Sequence, residues 1–196
     1  MKQNKVSDQA GPERSINSPL NWRKIKNRIQ IDAKFERRLY AKNHTILVVR
    51  WQSRRGDNFY ISIFKNSKIV SVTRYGETGP GPKGTVMTAK FELDGQEFVA
   101  LNGGPQFTFT EAISFVVNCE TQQEVDELWE KLSEGGEKSR CGWLKDKYGL
   151  SWQVVPTVLV EMLQDKDAKK SNRVMQAMLQ MDKIDIETLR RAYLAT

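Results

Sequence analysis

Apolar positions along this chain change their period several times, and each change marks an element. Phe59, Tyr60, Ile63 and Phe64 recur at helical spacing and predict the buried side of a short helix. Residues 67–75 alternate as a strand, after which the glycine- and proline-rich run GETGPGPKG reads as a surface loop. Two strands, 85–93 and 96–101, flank Asp94-Gly95, a pair suited to a tight hairpin turn. A further strand is predicted over 108–119. Thr121, Gln122, Gln123 and Glu124 make a capping box, with the threonine hydroxyl and the glutamate three residues on each satisfying a backbone donor at the helix start. Val125, Leu128, Trp129 and Leu132 mark the buried face of that helix, which stops at Gly135-Gly136. Strands around Trp143 and over 150–155 follow, joined at Tyr148-Gly149. Beyond Pro156 the chain is predicted helical, with Met162, Val174, Met175, Met178, Leu179 and Leu189 on apolar faces.

Ahead of residue 58 the pattern is poorer. Residues 45–49 form a β-branched and aliphatic run that can serve as a strand. Residues 1–19 are polar and are expected to be disordered, and 20–40 read as a solvated basic extension with weak helical spacing. With 45–49 as a first strand, the order strand, helix, three strands occurs twice. Such a duplication buries one face of each sheet under its helix and leaves the opposite, concave face for a ligand.

Charge narrows the partners. The chain has 196 residues, room for one compact domain and an appendage, and a formal net charge of +7. Residues 1–57 hold 14 Lys+Arg against 5 Asp+Glu, whereas 58–196 hold 17 against 19. The basic character therefore belongs to the N-terminal segment, and the body has no electrostatic footprint for a phosphate backbone, so no nucleic-acid partner is expected. No run of 18 apolar residues and no apolar leader segment are present, which predicts no membrane partner and a cytoplasmic location. Cys119 and Cys141 lack metal or disulfide spacing and read as reduced core thiols.

The segments LNGGPQFTFTEAISFVVNCETQQEVDELWEKL and CGWLKDKYGLSWQVVP, with FYISIFKNSKI and VMQAMLQMDKIDIETL, resemble the PhnB-like, or demethylubiquinone methyltransferase-like, proteins. These belong to the glyoxalase, bleomycin-resistance and dioxygenase superfamily, also called vicinal oxygen chelate (VOC) proteins. The likeness is collinear over residues 58–193. It implies an α+β fold of paired βαβββ modules forming cupped mixed sheets, and a homodimer. Residues 1–42 would be an irregular extension, 43–104 the first module, 105–160 the second and 161–196 a C-terminal helical segment. It does not imply one reaction, because many chemistries share the fold.

Metal-dependent members of that superfamily hold a divalent ion through His and Glu on related strands. Aligning DKYGLSWQ with the superfamily's usual ending puts Gln153 at the last carboxylate ligand, and the corresponding first-module strand ends in Asn102. The one histidine, His44, lies ahead of the matched region. Neutral amides replace anionic ligands poorly, so no metal is expected. Asn102 and Gln153 are instead expected to bind a small polar ligand, with Trp143 and Trp152 as apolar walls. Core packing for the tryptophans and a strand-end turn for Asn102 are the alternatives. Cys141 has no histidine base near it in sequence, so no nucleophile or other catalytic residue is assigned.

S-adenosylmethionine generally takes a glycine-rich turn between a strand and a helix. GETGPGPKG contains prolines and leads into a strand, so no cofactor is expected. Two function classes follow: a metal-free small-molecule binding protein, and an enzyme, either an isomerase or lyase or the methyltransferase of the family label.

Family members carry a strand, a Phe-Asp-Gly turn and a helix directly ahead of the Asn-Phe-Tyr found here at 58–60, and this chain departs from them before Asn58. Regrouping the codons of 40–57 by one base permits that segment, and Trp51 followed by Gln52 forces a glycine codon within it. Residues 41–57 are thus expected to be family DNA read out of frame after loss of one base near the codons of Asp57 and Asn58. Resequencing the locus should return an intact alternative frame with a start codon and the Phe-Asp-Gly segment. A frame containing neither removes the idea.

Overall fold

The structure, a computed structural model, describes residues 45–49 and 56–195. Expectations for the basic extension, His44 and residues 50–55 lie outside the described residues.

The first module consists of β1 (Thr45–Val49), α1 (Gly56–Ile63), β2 (Lys68–Arg74), β3 (Val86–Leu93) and β4 (Gln96–Asn102). The second consists of β5 (Ser114–Cys119), α2 (Gln122–Ser133), β6 (Glu137–Lys138), β7 (Trp143–Lys145) and β8 (Ser151–Pro156). Helices α3 (Thr157–Leu163), α4 (Ala168–Met178) and α5 (Ile186–Leu194) follow. The sheets have strand orders β1-β4-β3-β2 and β5-β8-β7-β6. In each, the first strand runs parallel to the last and the remaining pairs are antiparallel. The fold is therefore α+β with paired βαβββ modules, and residues 45–49 occupy the first strand's place.

Local chemistry explains the boundaries. At the β3–β4 hairpin Asp94 and Gly95 have φ of 46° and 85°, the left-handed pair that lets a two-residue turn match the strand twist. Thr121 caps α2 by accepting from the Glu124 N–H at 3.2 Å. Glu124 Oε2 in turn accepts from the Glu120 N–H at 2.7 Å, one residue before the cap. Gly136 ends α2 tightly, because a Cβ there would lie 2.1 Å from the Lys145 carbonyl oxygen.

The strand expected over 108–119 occupies only 114–119. Ahead of it the Ile113 N–H closes a turn on the Thr110 carbonyl at 3.4 Å, and Phe109 packs on the core. The alternation through 108–113 thus anchors a linker instead of continuing the ladder.

Both modules feed one core. Strand alternation turns Phe91 and Phe98 of the first sheet, and Phe115, Leu144, Trp152 and Val154 of the second, toward the helices. Tyr60, Phe91, Phe98, Phe115 and Trp152 form a closed circuit of rings with centroids 5.4–6.1 Å apart. The opposite face of each sheet looks away from this core. A second cluster of Leu159, Met162, Val174, Ile184 and Leu189 holds α3–α5 together. Within it Val174 and Met178 face inward, whereas Met175 and Leu179 are 39% and 48% exposed.

A buried carboxylate ties the modules. Asp146, in the turn after β7, is 2% exposed. Its Oδ2 accepts from Tyr60 Oη of α1 at 2.7 Å and from Trp152 Nε1 of β8 at 2.9 Å. Its Oδ1 accepts from the N–H groups of Tyr148 at 2.8 Å and Leu150 at 3.1 Å. Burial raises its pKa above the ordinary carboxylate value, and the bonds from Tyr60, Trp152, Tyr148 and Leu150 oppose that rise without cancelling it. Tyr60 is pushed well above a usual phenol, by burial first and then by Asp146.

Asp146→Ala leaves four donors unpaired, three of them in buried bonds, and should cost about 3–5 kcal/mol of unfolding free energy, read from denaturant titration. The pH dependence has the opposite sign to a surface salt bridge. With the folded pKa above the unfolded one, the folded state holds a proton the unfolded state lacks, and this contribution is lost as pH rises through the folded value. Relative to Asp146→Asn, the parent chain should therefore lose Tm as pH rises from the ordinary carboxylate range, about pH 4, through the raised folded value. A difference that is flat with pH, or that grows in the parent's favour, contradicts this.

Candidate functional site

The open face of the second sheet follows from register. Residues in register lie on the same face, so one row across β5, β8 and β7 is Ser114, Ser151 and Lys145. The next is Val116, Gln153 and Trp143. Gln153 Nε2 donates to Ser114 Oγ at 2.8 Å, linking the two rows. Trp143 and Gln153 are half-buried neighbours, while Val116 is 54% exposed. Ser151 is 1% exposed, and its hydroxyl is the buried side-chain polar atom without a hydrogen-bond partner among the described residues.

Glu111 of the linker makes an ion pair with Lys145. The hydrogen bond between them, more than their charge alone, lowers the Glu111 pKa and raises that of Lys145.

The open face of the first sheet is different. Its charged side chains and threonines pair with one another, Lys68 with Glu92 at 3.2 Å, Lys90 with Glu97 at 2.8 Å, and Thr73 Oγ1 with Thr88 Oγ1 at 2.5 Å, while Ser71 is exposed. Val99 and Leu101 of β4 hold the places that Ser151 and Gln153 hold on β8, in register with Ile46 and Val48.

The four residues singled out from sequence are thus divided. Trp143 and Gln153 share the open face of the second sheet. Trp152 points the other way, into the core, and its ring also lines a cavity of about 250 Å³ beside the β3–β4 hairpin. Phe64, Phe98 and Phe115 share that cavity, with Asp94 and Asn118 among its polar lining. Asn102 is in the first sheet at the end of β4, where Nδ2 donates to the Val86 carbonyl at 3.3 Å and its own carbonyl accepts from Tyr75 Oη at 3.1 Å.

Ser151 could have been found from its spacing, two residues before Gln153 on an alternating strand. Glu111 and Lys145 could not, because no local pattern shows which turn residue meets which strand.

A divalent ion fits these residues poorly. The amides of Gln153 and Asn102 both donate to oxygen, and among the described residues no three His, Cys, Asp or Glu side chains converge. Cys119 is fully buried, and burial, followed by Glu124 and Glu120, pushes its thiol up to about 12. Such a thiol is protonated at neutral pH and is a poor nucleophile. Cys141 is half-buried with φ of 57°. Gly79 and Gly81 of GETGPGPKG close around the Tyr75 ring, where a Cβ would stand 3.1 and 2.3 Å from it, while Gly76 and Gly84 face open space. No helix among the described residues is long and apolar enough to cross a membrane.

Comparisons with known proteins find similar solved structures. A putative 3-demethylubiquinone-9 3-methyltransferase, PhnB protein, from Bacillus cereus is 41% identical. It covers 59% of this chain and 99% of its own, with a TM-score of 0.54. Protein PA1353 from Pseudomonas aeruginosa is 18% identical over 58% of this chain and 96% of its own, with a TM-score of 0.49. The fosfomycin resistance protein FosX from Listeria monocytogenes is 18% identical over 61% and 94%, with a TM-score of 0.44. No curated protein matches. The family described as 3-demethylubiquinone-9 3-methyltransferase matches residues 41–155, more than half of the chain and inclusive of β1, and the chain belongs to this PhnB-like family.

Proposed function

We propose that the chain binds a small molecule on the open face of the second sheet, without a metal, through Gln153, Ser114 and Ser151, with Trp143 as an apolar wall. The observation that carries this is the contrast between the two open faces. The charged side chains and threonines of the first sheet pair with one another, while the second presents an amide, a hydroxyl and an indole around a buried hydroxyl that has no partner among the described residues. Buried polar groups are normally paired, so an orphan beside other polar groups calls for an external partner. The amides at Gln153 and Asn102 support a site without metal. A homodimer is part of the same proposal. β1 and β5 are edge strands, and each carries an exposed aliphatic residue on the open face, Ile46 at 59% and Val116 at 54%.

Methyl transfer, which the family description and the Bacillus cereus relative's name carry, is the second reading. It is not favoured by the residues, because the glycine-rich loop leads into a strand, not a helix, and Tyr75 packs against its central glycines Gly79 and Gly81.

A thermal-shift screen of the purified chain against metabolites, quinone precursors and S-adenosylmethionine, with metal analysis alongside, tests both readings. Stabilisation by a small molecule that is lost in Gln153→Leu, with metal well below one equivalent, is the expected result. Stoichiometric metal overturns the metal-free proposal, and selective stabilisation by S-adenosylmethionine makes methyl transfer the better reading.

A further inference from the structure

The Glu111–Lys145 ion pair has an unusual position. The order β5-β8-β7 puts Glu111, three residues before β5 begins, two strands away from Lys145 on β7. Adjacent strands lie about 4.8 Å apart, so the pair reaches across β8, whose residue in register with Lys145 is Ser151. Ser151, although on the open face, is only 1% exposed. Its hydroxyl has no hydrogen-bond partner among the described residues, and the Glu111 carboxylate is engaged with Lys145.

The groups of this row are donors. Lys145 offers an ammonium group, Ser151 an unused hydroxyl, and Ser114 a hydroxyl whose oxygen already accepts from Gln153 and whose hydrogen is therefore directed elsewhere. Such a set suits an anionic oxygen group. Linker anchorage is moderate: Phe109 packs on the core, but Phe107 and Ile113 are 57% and 70% exposed, and the Glu111 side chain is 62% exposed.

We propose that Ser114, Ser151 and Lys145 hold the anionic group of the ligand, and that the Glu111 carboxylate is an internal stand-in which the ligand displaces. The proposal rests on small-molecule binding at this face and adds the ligand's class and a latch that competes with it. The ligand carries a carboxylate, or a phosphonate or phosphate, at one end and an apolar body that lies along Trp143.

Benzoate, phenylphosphonate and the neutral isostere benzamide are suitable probes for titration of the full chain, followed by amide chemical shifts around Ser151. An anion should bind with shifts centred on this row, and benzamide more weakly. The preferred anion identifies the acid group. Glu111→Gln frees Lys145 and should tighten binding of the anion about two- to fivefold, the range of an exposed ion pair. Glu137→Gln makes the same charge change at Lys145's register partner on β6 and should do less. Lys145→Met should weaken binding about tenfold or more, through loss of a charge-assisted hydrogen bond.

Ser151→Ala should weaken anion binding while leaving the Tm of the free chain unchanged or higher, since no bond is lost on removing the orphan hydroxyl. A drop in that Tm counts against the proposal. Equal affinity for benzamide, or unchanged affinity in Glu111→Gln, overturns the anion site and latch while leaving small-molecule binding intact. Failure of every probe to bind either the parent or Glu111→Gln overturns this proposal as well, with the wider metabolite screen still able to support the general reading.

Discussion

A carboxylate removed from water is costly unless its lone pairs are filled, and Asp146 fills them with four donors drawn from three parts of the chain. Two backbone N–H groups from its own turn fix the loop between β7 and β8, and the Trp152 indole fixes the strand that follows. Tyr60 comes from the other module, 86 residues earlier. Apolar contacts between α1 and the second sheet would tolerate sliding, whereas a phenol donating to a particular carboxylate oxygen does not. The ring circuit through Tyr60, Phe91, Phe98, Phe115 and Trp152 therefore has a polar pin at one corner.

That pin also sets the open face. Asp146 directly follows Lys145 and lies four residues before Leu150, so the turn it organises determines where β7 stops and β8 begins. The register of Lys145 with Ser151, and of Trp143 with Gln153, follows from that turn. A slip of one residue would exchange Trp152 for Gln153 in the core. Gly136 adds a second restraint from α2, since its backbone approaches Lys145 too closely for any side chain.

Much of the fold was legible because its elements are locally marked. Asp94-Gly95, the Thr121–Glu124 capping box and the Gly135-Gly136 stop each have one strong conformational preference, and each forms as expected. The site was less legible. Gln153 and Trp143 are neighbours only through an antiparallel register, while Trp152 beside them in sequence faces the core. A period of two puts adjacent residues on opposite faces, so proximity along the chain was misleading for that pair. Asn102 ends β4 one residue past Leu101, the place that answers to Gln153, and its amide is used on Val86 within the first sheet. The linker offered least, because the alternation through 108–113 has the same appearance whether it continues a ladder or anchors a crossing segment.

Duplication here is topological, not chemical. Both modules bury large residues on the helix side, and that requirement is the same for each because they share one core. The outward faces carry no such requirement and have diverged. On β1 and β4 the rows are Ile46 with Val99 and Val48 with Leu101; on β5 and β8 they are Ser114 with Ser151 and Val116 with Gln153. Aliphatic rows need no partner beyond exclusion of water, while a buried hydroxyl and an amide each have bonds to fill. The second module's face is accordingly where a missing partner has an energetic consequence, and where a ligand's polar end would replace bonds that the folded chain alone does not make.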